Sequence, residues 1–322
     1  MTNPQHANTA PADHPAVDPA DHGSVGVVGL GNMGLALATR LRASVEVFGH
    51  DLSAERVDAA GERGIRTGEL AELAAACETV VLSLPAPAAS RQVATTLAAA
   101  GGAVRWVVET STVTPDDVRA VTEILGPDIA VVDAAILSGV AAMESGNAGL
   151  LISGSDDAVQ AVDPLLQAIT SKRQYVGTSG AAMATKVVNN AVAHTVMVLL
   201  LEAVALADAA KVDLDTLVAV LSSEDGGLVR PLTHRVAERV RASDYGGGMP
   251  LEAARKDSVL ALSLGQSLGV PLFTIPASHT AYEIAMTRGD WDREDYAVIA
   301  RLWEEWGKTS FSRPEPAGLS AV

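Results

Sequence analysis

Two sets of residues in this chain have the types and spacing to do chemistry. The first is Gly29-Leu30-Gly31-Asn32-Met33-Gly34, set between a β-branched run, Ser24 to Val28, and a helical stretch from Leu35 to Arg42. Glycines so spaced allow a tight turn, close approach of backbone to a pyrophosphate, and close packing of helix on strand. The helix then offers its first N–H groups to the phosphates. Asp51 follows the second strand-like run, where a carboxylate accepts the ribose hydroxyls of NAD and repels the 2′-phosphate of NADP. Leu52 and Ser53 add no positive charge and Arg56 lies a turn further on, so NAD is expected rather than NADP, with His50 as a wall of the adenine pocket. The second set centres on Lys186, which interrupts an apolar stretch with no acidic residue three or four positions away. Such an amine is expected to be buried near a ligand, and burial lowers its pKa from about 10.4 toward the range where it can exchange protons. Asn190 shares its helix face. His194, four residues further, is expected to be a satisfied core residue.

Alternating elements must carry these groups. Strand-like runs occur at Val45 to Phe48, Thr79 to Leu84, Trp106 to Glu109, Ile129 to Asp133 and Leu150 to Ser153, with helical stretches such as Ala54 to Arg63 and Ala88 to Ala100 between them. This pattern predicts a Rossmann-type α/β fold with a doubly wound, mostly parallel sheet. After Gly180 strand signals stop, and helices are expected at 181–210, 214–222, 251–268, 277–288 and 296–307, an all-helical C-terminal domain. The expected organisation is a disordered tail at 1–22, an NAD-binding domain at 23–180, a helical domain at 181–310 and a tail at 311–322.

Composition narrows the function. The 322 residues carry a net charge of −16, which argues against a nucleic-acid surface. Cys77 is the sole cysteine, which suits a reducing compartment. With no apolar leader in the Pro- and Ala-rich N-terminus, a cytoplasmic protein is expected. The apolar stretch Val187 to Ala207 contains Asn189, Asn190, His194 and Glu202, and reads as a buried helix rather than a membrane span. No cluster of His, Cys or carboxylates has metal-ligand spacing, and no nucleophilic triad is visible.

From Val25 to Trp306 the chain resembles the β-hydroxyacid dehydrogenase family of 3-hydroxyisobutyrate dehydrogenase and tartronate semialdehyde reductase. Five ordered motifs carry the resemblance: Val28 to Gly34, Leu84-Pro85, Glu109 to Pro115, Gly180 to Asn190, and Arg255-Lys256-Asp257 with Gly269 to Leu272. The resemblance implies that Leu84 and Pro85 lie under the cofactor, that Ser111 and Thr112 flank the nicotinamide, and that Lys256 belongs to the cofactor site. It also implies that Lys186 is the general acid/base, with Asn190 holding the substrate hydroxyl. Like-charge repulsion from Lys256 and the oxidised nicotinamide would lower the Lys186 pKa further. Ser138 and Gly139 fall in the substrate loop, where hydroxyl and N–H groups can bind a carboxylate. That loop, Asp133 to Ala142, departs from the family pattern and is closer in length to imine reductases. In the resembled family the long helix from Ala181 supports dimerisation, and a homodimer is expected. The expected function is NAD-dependent interconversion of a small 3-hydroxy acid and its aldehyde or keto partner. Reduction of a C=N bond and dinucleotide binding without turnover are the alternatives.

Overall fold

A computed structural model describes residues 23–307 and 309–312; the tail read at 1–22 and residues 313–322 of the C-terminal tail lie outside the described residues. The first strand, β1 (Ser24–Val28), is the centre of the α/β part. It is joined by β2 (Val47–His50), β3 (Arg66–Thr67), β4 (Cys77–Leu82), β5 (Trp106–Glu109), β6 (Ala130–Ile136), β7 (Leu150–Ser153) and β8 (Arg173–Gly177). These form one sheet in the order β3-β2-β1-β4-β5-β6-β7-β8, parallel throughout except for the antiparallel β6–β7 pair. The order reverses between β1 and β4, the switch point at which doubly wound sheets open a crevice beyond their strand ends.

Pairing register makes that edge a continuous row. His50 pairs with Val28, Val28 with Leu82, Leu82 with Glu109, Glu109 with Asp133, and Asp133 with Ser153. Polar and ionisable residues thus collect on one line across the sheet, while the strand interiors are Val and Leu.

Helices cover both faces: α1 (Asn32–Leu41), α2 (Ala54–Glu62), α3 (Leu70–Ala76), α4 (Pro87–Ala100), α5 (Pro115–Leu125), α6 (Val140–Glu144) and α7 (Asp156–Ile169). One face buries Leu37, Leu41, Ile152, Leu166 and Ile169; the other buries Leu73, Leu97, Val107, Val118 and Met183. A fully buried side chain of this kind contributes about 2 kcal/mol of transfer free energy. With aromatics so scarce, these aliphatic layers are the core.

The chain continues through α8 (Ala181–Ala209), α9 (Leu214–Ser222), a π-helix at Pro231–Val240, α10 (Leu251–Leu268), α11 (Thr274–Met286), a 3-10 turn at Tyr296–Ile299 and α12 (Ala300–Gly307). Two compact units divide inside α8, between Ala191 and Val192. Helix α8 corrects the expectation of a buried helix. Val188, Val192, Met197 and Leu201 are more than half exposed on this chain, and His194 is exposed rather than in a core. By length and composition alone α8 could cross a membrane. Its Glu202 is instead buried and accepts N–H bonds from Phe273 (2.8 Å), Thr274 (2.7 Å) and Ile275 (3.1 Å), capping the start of α11. In the second unit Tyr245, Leu251, Trp291, Val298 and Leu302 form a buried cluster, and Asp295 is fully buried.

Candidate active site

The glycine-rich turn follows β1 and opens α1, and each glycine has its own steric reason. A Cβ on Gly29 would lie 2.2 Å from the Ser83 carbonyl oxygen, and one on Gly34 would lie 1.8 Å from the Gly29 carbonyl oxygen. These two positions hold the turn against β4 and against itself. Gly31 differs: its nearest neighbour would be Arg56 at 3.7 Å, so this glycine keeps the mouth of the cleft open for a ligand. The cleft is about 750 Å³, lined by Gly29, Gly31, Asn32, Met33 and Gly34 on one side and by Ser83, Leu84 and Pro85 after β4 on the other. A dinucleotide's pyrophosphate fits this arrangement, because an open glycine backbone stands before the N-terminus of α1.

Asp51 sits at the far end of the same cleft, with His50, Leu52, Ser53 and Arg56. Its carboxylate accepts the Leu30 N–H at 2.7 Å and the Ser53 N–H at 2.9 Å. The Leu30 side chain is buried in the core, and the residue meets Asp51 through its backbone N–H. The Arg56 guanidinium stands 3.5 Å from Asp51, half exposed, closer to that carboxylate than its place in the sequence implied. Leu52 is 93% exposed, an apolar surface at the cleft wall. His50 Nδ1 pairs with the Gly68 carbonyl at 2.9 Å; that oxygen can only accept, so Nδ1 carries a proton and donates.

The loop after β5 is tied to the cleft indirectly. Ser111 Oγ accepts the Leu84 N–H at 2.8 Å, and Glu109 accepts the Ser111 N–H at 2.8 Å. Thr112 is exposed next to them. Burial pushes the Glu109 carboxyl up to about 7, against the smaller opposing pull of bonds to Ser111 and Ser90.

Lys186, in the second turn of α8, reaches the end of β6, where its Nζ donates to the Ile136 carbonyl. Burial lowers its pKa from the ordinary lysine value. Desolvation is the cause. Lys256 belongs to the second unit, is largely exposed, and pairs with Asp257 at 3.1 Å. Asn190 stands one turn beyond Lys186, half-buried. Ser138 follows Ile136 by two residues, and its Oγ accepts the Gly149 N–H at 3.1 Å; Gly139 caps α6. The ends of β1, β4, β5 and β6 thus present cleft, turn, loop and amine in order. Three strand spacings separate β1 from β6, about 14 Å, the scale of an extended dinucleotide.

Two family models account for nearly all of this. The NAD binding domain of 6-phosphogluconate dehydrogenase matches residues 24–177, and the NAD-binding domain of NADP-dependent 3-hydroxyisobutyrate dehydrogenase matches residues 180–303. The chain belongs to the β-hydroxyacid dehydrogenase family. It is similar to 2-(hydroxymethyl)glutarate dehydrogenase of Eubacterium barkeri, at 26% identity over 88% of this chain and 96% of that protein. L-threonate dehydrogenase of Cupriavidus necator is 29% identical over 85% of this chain and 94% of its own length. Among solved structures, an imine reductase from a Pseudomonas species superposes with a TM-score of 0.77 at 25% identity, covering 87% of this chain and 99% of that one.

As a β-hydroxyacid dehydrogenase the chain is an oxidoreductase with an NAD(P)-binding domain, and its cleft has lining residues that motif reading missed. Ser83, Ala89, Gln92, Val93 and Thr96 also line it, the last four from α4. Their spacing of three and four places them on one face of that helix. No chemical signal marks them, since a helix face over a cleft needs only suitable shape.

Proposed function

We propose that this β-hydroxyacid dehydrogenase interconverts a small 3-hydroxy acid and its aldehyde or keto partner, with NAD as preferred cofactor and Lys186 as general acid/base. The observation that carries the reading is the placement of Lys186: half-buried, its Nζ donating to the Ile136 carbonyl at the end of β6, with its pKa lowered by burial. The nicotinamide supplies the hydride acceptor when bound. A neutral Lys186 that donates one N–H to Ile136 keeps its lone pair free to take the substrate's hydroxyl proton. Asn190 holds that hydroxyl without competing for the proton. Ser138, whose oxygen already accepts from Gly149, keeps its O–H to donate to a carboxylate, beside the Gly139 backbone.

The sign with pH follows. Oxidation needs the neutral amine, so its rate rises with pH through the Lys186 pKa; reduction needs the ammonium and falls over the same range. The test is NADH formation at alkaline pH with 3-hydroxyisobutyrate, 2-(hydroxymethyl)glutarate and L-threonate, for wild type and Lys186→Ala. A loss in kcat of at least about 100-fold is expected, with NAD binding unchanged. The likeness to an imine reductase supports a second reading, and reduction of cyclic imines that survives Lys186→Ala would establish it instead.

The NAD preference rests on Asp51, whose carboxylate opposes a 2′-phosphate while Arg56 is held against it. Wild type should favour NAD over NADP by at least about tenfold in kcat/KM, or roughly 1.4 kcal/mol. Asp51→Ala should shrink that ratio. A wild type that prefers NADP would mean that Arg56, not Asp51, governs the pocket. The exposed face of α8 is assigned to a second copy of the chain, and a monomer by light scattering at micromolar concentration would refute that assignment.

A further inference from the structure

Most helices that carry a side-chain cap here are capped by the residue beside them: Thr114 caps α5, Ser155 caps α7 and Asp213 caps α9. Helix α8 is anchored differently, by two fully buried residues of the sheet. Asp133 on β6 and Ser153 on β7 face each other in register, and Ser153 Oγ donates to Asp133 Oδ2. Asp133 Oδ1 accepts the Gly180 N–H at 3.1 Å, and Oδ2 accepts the Met183 N–H at 3.4 Å. Ser153 Oγ accepts the Ala182 N–H at 2.8 Å. Amides that the start of a helix leaves without intrahelical partners therefore end on this one pair. Gly180 enters at φ +90°, and a Cβ there would meet Pro115 at 3.1 Å, so the backbone's approach is fixed as well.

A local cap would satisfy the same amides without burying a carboxylate, which is costly even when hydrogen-bonded. What the buried pair adds is a fixed relation between helix and sheet. Three residues beyond Asp133 on the same strand, the Ile136 carbonyl receives Lys186 Nζ. One strand thus holds both the first turn of α8 and the amine that projects from the next turn.

We propose that Asp133 and Ser153 are positioning residues for proton transfer by Lys186, setting where its amine stands at the end of β6. The inference rests on the Lys186 reading above. Misplacing a reacting group by about 1 Å costs on the order of 100-fold in rate, with no contact to substrate lost.

Ser153→Ala and Asp133→Asn, each made in wild type and in Lys186→Ala, test it with 3-hydroxyisobutyrate, 2-(hydroxymethyl)glutarate and L-threonate as probes. The expected loss in kcat is about tenfold for Ser153→Ala and about 100-fold for Asp133→Asn, with the NADH dissociation constant, read by fluorescence, within about twofold of wild type. The solvent deuterium isotope effect on kcat should rise, a ratio that loss of folded enzyme does not move. In the Lys186→Ala background neither change should cost anything further, because residues acting through one group are not additive. Equal losses in both backgrounds, or a fallen kcat with an unmoved isotope effect, overturn the proposal. If Lys186→Ala itself keeps full turnover, the Lys186 reading fails first. If it abolishes turnover while Ser153→Ala and Asp133→Asn leave kcat alone, only the positioning role fails. Should wild type turn over none of the probes, the substrate reading is lost, and hydrogen exchange across residues 180–187 decides the anchoring. Unchanged exchange in Ser153→Ala overturns it. Ser153→Ala carries every arm if Asp133→Asn does not fold.

Discussion

Asp295→Ala is expected to destabilise the second unit by about 4 kcal/mol, enough to consume a large fraction of a typical domain's stability. Asp295 has no exposed surface, and its carboxylate faces the Arg235 guanidinium at 3.4 Å and that of Arg239 at 3.8 Å. It also accepts the Met249 N–H at 3.2 Å and the Ala297 N–H at 3.0 Å. Removing it leaves two poorly solvated cations facing each other and two amides unpaired. Among the described residues the buried Arg235 Nε has no hydrogen-bond partner, and its guanidinium stacks 4.8 Å over Tyr296. The damage would reach α10, because Gly248 packs so tightly that a Cβ would lie 2.2 Å from Asp295 Oδ2. Trp291, Trp303 and Trp306 lie in the second unit and only Trp106 in the first, so urea unfolding followed by tryptophan fluorescence reads the right part of the chain. Asp295→Asn keeps one acceptor and should fall between the two. A midpoint for Asp295→Ala within experimental error of wild type would mean that water or rearranged side chains replace the carboxylate.

None of this hub is visible in the sequence, and the contrast with what is visible is physical. Helices α9 and α10 begin and end where the sequence places them, because Asp213 caps one and a left-handed Gly269 stops the other, both local signals. Strands β1, β5 and β7 are likewise legible as β-branched or apolar runs. Strand β3 is two residues of mixed character that exist as a strand only by pairing with β2, and β8 (Arg-Gln-Tyr-Val-Gly) has no apolar run. The π-helix at 231–240 is half apolar and half polar, and its Arg235 and Arg239 find their partner, Asp295, far along the chain. The site divides the same way. Gly29, Gly31, Gly34 and Asp51, which the structure brings to one cleft, stand out in the sequence because a glycine-rich turn between strand and helix is a local device. Asp133 could not, since its partners are 20, 47 and 50 residues away. His194 was read as a core residue from its apolar neighbours, but periodicity cannot say which helix faces a single chain leaves uncovered.

Glu109→Gln should make the protein more stable at pH 8, by about 3 kcal/mol, and the gain should vanish near pH 4.5. Glu109 is 1% exposed, at the end of β5, and burial raises its carboxyl from 4.5 to about 7. The neighbouring Asp133 carboxylate raises it further, though less. In the unfolded chain the group loses its proton near the ordinary value, whereas the folded chain retains it to about 7. Folding is therefore linked to proton uptake between those values. Stability from this group is whole below about pH 4.5, declines as pH rises, and is lost above about 7. Glutamine copies the protonated acid. Its oxygen can accept the Ser111 N–H that Glu109 Oε1 accepts, and its amide can donate to Ser90 Oγ, the other group beside the carboxyl. The Ser111–Leu84 connection into the cofactor cleft would survive, so NADH affinity at neutral pH should stay within about twofold. Thermal unfolding of both proteins from pH 4.5 to 8.5 checks the claim, with a gain of several degrees expected at the alkaline end. A difference that does not change with pH would show that Glu109 is ionised in the folded protein at every pH tested, and that a compensating positive charge or water reaches it.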